Sequence, residues 1–354
     1  KPASVVGFFM RRDVLIVGFG LAGWALTESL KTHGISFVVF DPLKNYSSKS
    51  ATGIFNPIVL KRFRSVWNAD AIMEQSIPYY AQSKYKEAFH PTSIYRVLAS
   101  VSEQNDWAVA SDKPDLSRYL SPKILHNPNA NILTPFGMGV VEHTGWIDTN
   151  KLLTIAYREL NHQGCFAEEV FDYNALEVSK EKVKYKNIEA NHVIFAEGVG
   201  IKKNPWFSNL PIVPNKGEWL IVSCKGLELK KILKSSVFVV PLGEDKYRIG
   251  ATYSREFKNN LPTEKGKAWL IAQFEKLTPL RYELVAHSAG FRPTVPDRKP
   301  VIGSHPEYKN LWCVNGLGSR GVLWGPYLAK SLVEALKNIQ MVAPALDLTR
   351  FGSP

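Results

Sequence analysis

From Asp13 the chain runs Val14-Leu15-Ile16-Val17, four aliphatic residues without a polar break, a pattern that predicts a strand buried on both faces. A glycine turn follows. Ala22, Leu26 and Leu30 then recur at four-residue spacing, one apolar stripe that predicts a helix over 22–32. Residues 35–40, apolar but for Ser36, are a second strand-like run, closed by Asp41. Strand, turn, helix and strand in this order make one βαβ unit.

Farther along, 148–159 predicts a helix capped by Asp148 or Thr149. Residues 191–197 predict a short buried strand running into Gly198 and Gly200. Between Phe207 and Tyr253 the texture changes. Runs at 218–222, 237–240 and 247–251 are separated by turn-forming and lysine-rich stretches with no helical period between them, as in a mixed or antiparallel sheet. The α/β pattern returns at the end, with a strand at 311–314, a turn at 316–321 and a helix over 322–336.

At 354 residues the chain has room for about two structural units. The expected fold is α/β: a discontinuous, Rossmann-like nucleotide-binding domain of residues 10–80, 144–205 and 285–354, with an inserted, sheet-rich substrate domain of 81–143 and 206–284. The longest apolar stretch, from Val14 to Leu26, is broken by three glycines and is too short to cross a bilayer, so no membrane span is expected. The sequence opens on Lys1, and the residues before Met10 are set aside as an extension that lacks the features of a signal peptide. Cys165, Cys224 and Cys313 are odd in number and lack metal-ligand spacing; a reducing cytoplasm and no metal are expected. The net charge of +12 draws anionic ligands of any size. The basic residues are dispersed, with only short clusters such as Lys61-Arg62-Arg64 and Lys230-Lys231, so a solvated surface is the simpler reading and nucleic acid stays open.

Gly18-Phe19-Gly20-Leu21-Ala22-Gly23 matches G-x-G-x-x-G. That pattern is common by chance; its context is not. It follows a predicted strand, opens a predicted helix, and precedes by roughly 20 residues an acidic residue at the end of the next strand. Gly18 permits the tight turn, Gly20 lets a pyrophosphate approach the backbone, and Gly23 lets helix and strand pack closely. The helix amino end offers unpaired N–H groups and a positive dipole to the phosphates. Asp41 is expected to accept from ribose hydroxyls. The competing reading is a tight turn that binds nothing, and this unit alone leaves NAD and FAD both open.

Gly316-Leu317-Gly318-Ser319-Arg320-Gly321 repeats the pattern near the carboxyl end. Too little chain follows for a second complete nucleotide unit, so this turn serves the same site or simply packs on the sheet. A helix amino end aimed at an electron-rich ring would stabilise charge that develops there.

Taken with these turns, the segments Ser48-Lys49-Ser50-Ala51-Thr52-Gly53-Ile54-Phe55-Asn56-Pro57 and Ala289-Gly290-Phe291-Arg292-Pro293-Thr294-Val295-Pro296-Asp297-Arg298-Lys299-Pro300-Val301-Ile302-Gly303 give the chain a resemblance to the D-amino-acid oxidase superfamily over almost its whole length. Glycine oxidase and the flavin domain of the bifunctional tRNA wobble-uridine modification enzyme look nearest. The resemblance implies non-covalent FAD. It places Gly18, Gly20, Leu21, Ala22, Gly23 and Asp41 at the ADP half. Ser47, Ser48, Thr52, Gly53 and Ile54 would lie along the ribityl chain and ring, and the backbone of Val170 against adenine. Gly316, Gly318, Ser319, Gly321 and Val322 would lie by the pyrimidine side. Arg292 corresponds to the family's carboxylate-anchoring arginine and Arg320 to a second arginine near substrate.

One departure stands out. Where glycine oxidase carries a substrate-binding tyrosine this chain has Phe238, which donates no hydrogen bond, and Tyr253 is close enough in the pattern to contribute a hydroxyl instead. The resemblance implies oxidation of the C–N bond of a small amine or amino acid, with oxygen or another acceptor taking the electrons. Removal of a carboxymethyl group from a tRNA wobble uridine, with tRNA as partner, is the rival reading, and a non-catalytic flavoprotein is another. His287 and Tyr253 are candidate proton acceptors, and no general base is required.

Overall fold

The computed structural model describes residues 10–44, 47–126 and 129–352; the extension before Met10 lies outside the described residues. The chain divides into two compact units. One comprises Lys1–Lys49, Asn150–Pro214 and Arg292–Pro354, and the other Ser50–Thr149 and Asn215–Phe291.

In the first unit β1 (Met10–Val17) lies between β2 (Phe37–Phe40) and the strand Ile188–Phe195, parallel to both. Leu311–Asn315 adds in parallel beyond Ile188–Phe195, and Phe166–Ala167 in parallel beyond β2. The apolar runs are continuous because both faces are covered: Leu15, Val193, Phe195 and Cys313 are fully buried in one cluster. Parallel strands put their carboxyl ends along one edge, and that edge is where ligands bind in open α/β sheets. Antiparallel additions at Val183–Tyr185 and Val301–Ser304 flank the parallel strands. The helix α1 (Leu21–Thr32) returns from β1, and Gly321–Leu336 returns from Leu311–Asn315. These two helices pack closely, because a Cβ on Gly325 would stand only 3.2 Å from the Leu21 carbonyl oxygen.

The second unit is built on an eight-stranded sheet in the order Glu283–Thr294, Val213–Ser223, Lys246–Gly250, Phe238–Gly243, Ile232–Lys234, Ile94–Val97, Met138–Val141, Leu120–Leu125. The sheet is mixed: Ile232–Lys234 runs parallel to Ile94–Val97, and the hairpins on either side are antiparallel. Alternation sorts its faces. Leu220, Val222, Val239, Tyr247 and Ile249 bury against Leu270 and Phe274 of the helix Glu264–Glu275. Trp219, Phe238 and Arg248, each one residue out of phase, occupy the opposite face.

Residues 50–80 and 144–149, expected with the nucleotide end, group with the second unit. The physical tie is local: Ile54–Phe55 pairs with Gly145–Ile147, and the Gly53 carbonyl accepts from Ile147 N at 2.9 Å. Residues 206–214 go with the first unit and 285–291 with the second. Among the described residues no helix is long and apolar enough to cross a membrane.

Candidate functional site

The first glycine turn leaves β1 at Gly18, whose φ of 101° is closed to most side chains. A Cβ there would lie 2.6 Å from the Ala196 carbonyl oxygen, and one on Gly23 would fall inside contact distance of the Gly18 carbonyl. Gly20 backs onto Ser48, whose Oγ accepts from Leu21 N at 2.9 Å, so Ser48 holds the first turn of α1, where Ala22 is buried. Asp41 is buried at the end of β2; Oδ2 accepts from Phe19 N at 2.7 Å and Oδ1 from Leu43 N at 2.7 Å. Asp41 N donates to the Ala167 carbonyl at 3.2 Å, so Val170, 66 % exposed, lies three residues beyond that contact at the same edge.

The second turn ends Leu311–Asn315 with left-handed backbone at Gly316 (φ 75°) and Gly318 (φ 56°). Gly316 N donates to Asn315 Oδ1 at 2.7 Å and Gly318 N to the Pro293 carbonyl at 2.9 Å. Ser319 is exposed and Val322 buried. Gly321, the first residue of its helix, faces Leu21, the first residue of α1: a Cβ on Gly321 would be 3.0 Å from Leu21 Cδ1. Two helix amino ends therefore stand side by side over backbone stripped of side chains. Their dipoles and first-turn N–H groups suit a diphosphate, and Asp41 beside them suits ribose hydroxyls.

The bond from Gly318 N to Pro293 also sets the segment bearing Arg292 against the turn bearing Arg320, and both arginines are half-buried. Tyr253 belongs to the second unit, in the loop after Lys246–Gly250, and is 63 % exposed. The segment 47–54 is divided: Ser47 and Ser48 belong to the first unit, Thr52, Gly53 and Ile54 to the second. Within the second unit this segment is pinned to the sheet, with the Ser50 carbonyl accepting from Trp219 Nε1 at 2.7 Å and the Ala51 carbonyl from Arg248 Nη1 at 3.0 Å. His287 is not an isolated base. Its Nε2 lies 3.0 Å from Glu218 Oε2, and Glu218 also accepts from Thr263 N at 2.8 Å.

Two residues at this edge have no counterpart in the sequence reading. Asn315 bridges the turn to the Gly198 carbonyl through Nδ2 at 2.8 Å. Glu197 follows Ile188–Phe195 directly behind Gly18, accepts from Tyr173 Oη and, at 2.8 Å, from Asn204 Nδ2, and burial pushes its carboxyl above the usual range. The signal that could have found both is the one that found Asp41: a polar side chain closing an apolar strand. Among the described residues there is no cluster of three potential metal ligands.

Comparison with known proteins agrees with this architecture. Glycine oxidase of Pseudomonas putida is 22 % identical over 373 residues, covering 97 % of this chain and 100 % of that one. The tRNA 5-methylaminomethyl-2-thiouridine biosynthesis bifunctional protein MnmC of Idiomarina loihiensis is 24 % identical over 91 % of this chain but 55 % of its own, so the chain spans about half the length of that relative. The crystal structure of glycine oxidase from Geobacillus kaustophilus superposes with a TM-score of 0.76 at 21 % identity, over 97 % of this chain and 98 % of that one, which establishes the shared fold. The family model described as FAD dependent oxidoreductase matches from residue 13 to residue 335, from the first strand through the last helix, and the chain belongs to that family.

Proposed function

We propose that this FAD-dependent oxidoreductase oxidises the C–N bond of a small amine or amino acid. The observation that carries the reading is the bond between Gly318 N and the Pro293 carbonyl, which sets the strand bearing Arg292 against the glycine turn bearing Arg320. Two guanidinium groups on adjacent segments, beside a helix amino end, suit a carboxylate that must be held at a fixed angle.

The side chains named above fit FAD. The paired helix ends and Gly18, Gly20, Leu21, Ala22 and Gly23 would hold the diphosphate, Asp41 the ribose, and the Val170 backbone the adenine. Ser47, Ser48, Thr52, Gly53 and Ile54 would carry the remainder, with Gly316, Gly318, Ser319, Gly321 and Val322 at the ring. When bound, FAD supplies the hydride acceptor. Arg292, assisted by Arg320, clamps the substrate carboxylate so that the α C–H is presented in one orientation. Tyr253 is the hydroxyl donor to which this reading gives a role. As the α-hydrogen leaves with its electron pair, the amine nitrogen forms the C=N bond and gives its proton to water. Hydrolysis of that imine yields a carbonyl compound and the free amine. Oxygen or another acceptor takes the two electrons. The three free cysteines suit a reducing compartment, the cytoplasm in this reading.

The rival is oxidation of the same bond on a tRNA wobble uridine. The net charge of +12 and the match to MnmC over 91 % of the chain favour it. One experiment tests both. The purified protein is mixed anaerobically with glycine, sarcosine, D-alanine, D-proline or tRNA carrying carboxymethylaminomethyl-uridine while the flavin absorption is followed. Bleaching by a free amine supports the first reading and bleaching by the tRNA alone the second. A yellow protein that none of them bleaches overturns C–N oxidation.

A further inference from the structure

In the second unit one carboxylate, that of Glu218, gathers polar groups from two strands and the start of a helix. Glu218 lies on Val213–Ser223 and is buried. Its Oε2 accepts from Thr263 N at 2.8 Å and its Oε1 from Thr263 Oγ1 at 2.9 Å, and Thr263 caps the helix Glu264–Glu275. His287 Nε2, from the strand Glu283–Thr294, lies 3.0 Å from Oε2, and Nζ of the buried Lys216 lies 3.4 Å from Oε1. Burial works to raise the carboxyl, but these partners outweigh it and hold Glu218 below the ordinary carboxylate range. An ionised carboxylate has no proton to give, so His287 Nε2 carries the hydrogen and donates it. The helix leaves space for the charge: a Cβ on Gly266 would stand 2.4 Å from Oε2. Glycine is otherwise unfavourable inside a helix, and this one stands where the carboxylate needs the room.

Glu218 and Lys216 also hold both ends of the loop 251–263. At its start Thr252 N donates to the Glu218 carbonyl at 3.0 Å, and Glu218 N donates to Thr252 Oγ1 at 2.8 Å. Two residues on, Lys216 and Ser254 exchange backbone bonds of 2.8 and 2.9 Å. At its end Lys216 Nζ donates to the Leu261 carbonyl, and Thr263 is held by the carboxylate. Tyr253 stands between Thr252 and Ser254, so its backbone is fixed on both sides while the residue stays 63 % exposed. Farther round the loop the Phe257 ring packs on that of Phe291, with centroids 4.6 Å apart. Phe291 precedes Arg292 on the strand that also carries His287. Direct contacts therefore run from the loop of Tyr253, through Glu218, to the strand of Arg292.

We propose that Glu218 is a positioning residue: through Thr252 and Thr263 on one side and His287 on the other, it fixes the backbone of Tyr253 and the strand that carries Arg292. What those two groups do rests on the amine-oxidation reading above; the tie itself does not. Glu218 and His287 act through Tyr253 and Arg292 and not on the reacting atoms. Slackening the tie weakens an interaction made alike in the ground and transition states, which raises the half-saturating substrate concentration and leaves the limiting rate in place.

The test follows anaerobic flavin reduction in the FAD-loaded protein with glycine, sarcosine, D-alanine and D-proline. His287→Leu removes the donor to Glu218. It is expected to raise the half-saturating amine concentration about 10-fold, the scale of one hydrogen bond lost at a charged group, with the limiting rate within about twofold of the parent. His287→Gln, which keeps an N–H for Glu218, is expected to return the half-saturating concentration to within about threefold of the parent. A brace with no bearing on substrate would lower FAD content or melting temperature and leave that concentration unmoved in the loaded fraction, which overturns the proposal. So does a fall in the limiting rate alone, which would make His287 a proton acceptor in the reaction. Should the leucine variant lose FAD, Thr263→Val, which removes the other side-chain donor, decides by the same criterion. If none of the amines reduces the parent flavin, the amine-oxidation reading fails, and hydrogen exchange in the FAD-loaded protein decides the tie. His287→Leu is then expected to speed exchange at residues 252–262 and 288–292 together; unchanged exchange in either segment overturns it.

Discussion

The two glycine turns share one pattern and meet different obstacles. In the first, Gly18 and Gly23 are walled in by main chain, the Ala196 and Gly18 carbonyls respectively, which cannot swing aside. In the second, Gly316 faces the Val295 side chain and Gly321 the end of the Leu21 side chain, while Gly318 has nothing nearer than 3.9 Å. The first turn is thus specified by close approach of backbone to backbone. The second is specified mainly by left-handed φ values and by the partners Asn315 and Pro293. An identical sequence motif does not imply an identical physical reason for its glycines.

The sharpest way to break this contrast is Gly23→Ala. The new methyl would press on the Gly18 carbonyl, so a loss of about 3 kcal/mol in unfolding free energy is expected, the upper end for overpacking, together with loss of FAD from the purified protein. Stability near the parent's with full FAD would refute the backbone wall. Gly316→Ala combines a positive φ with a methyl 2.3 Å from Cγ2 of the buried, β-branched Val295, and a loss of about 2 kcal/mol is expected by denaturant titration.

Glu197, behind Gly18, gives a reading by pH. Burial raises its carboxyl, so the folded state favours the protonated acid. The stability it contributes is fully present below the ordinary carboxylate range and is lost as pH rises through the raised value. Glu197→Gln keeps the shape and has no proton to lose. Its melting temperature is expected to change less than the parent's as pH rises from about 5 towards 8. Parallel profiles would show that Glu197 is already ionised in the fold.

The smallest effect belongs to Gly321→Ala. The end of Leu21 can turn away, so a cost below about 1 kcal/mol is expected, with FAD content unchanged. Equal damage from Gly321→Ala and Gly23→Ala would erase the distinction between the turns.

Much of the first unit was legible because its signals are local. The run from Val14 to Val17 forms the end of β1, the stripe of Ala22, Leu26 and Leu30 lies on α1, and Asp41 ends β2 beside the turn. The strands expected at 218–222, 237–240 and 247–251 correspond to Val213–Ser223, Phe238–Gly243 and Lys246–Gly250. The helices Ala69–Tyr80 and Val101–Ser111 escaped. Pro78 lies inside the first, a residue that in a sequence marks the end of a helix. The second buries only Trp107, Ala110 and Ser111, too few positions for an apolar stripe to show.

By itself the sequence determined the βαβ unit, both glycine turns and the acid at the end of β2, since each depends on residues within a few turns of one another along the chain. Tertiary structure alone decided that Leu21 and Gly321 meet, roughly 300 residues apart, that Glu197 accepts from Asn204, and that Asn315 reaches the Gly198 carbonyl. It also decided that residues 50–54 belong to the second unit and that Arg248 reaches Ala51. Strand pairing and the burial of a charge are set by partners distant in sequence, and no local period or motif records them.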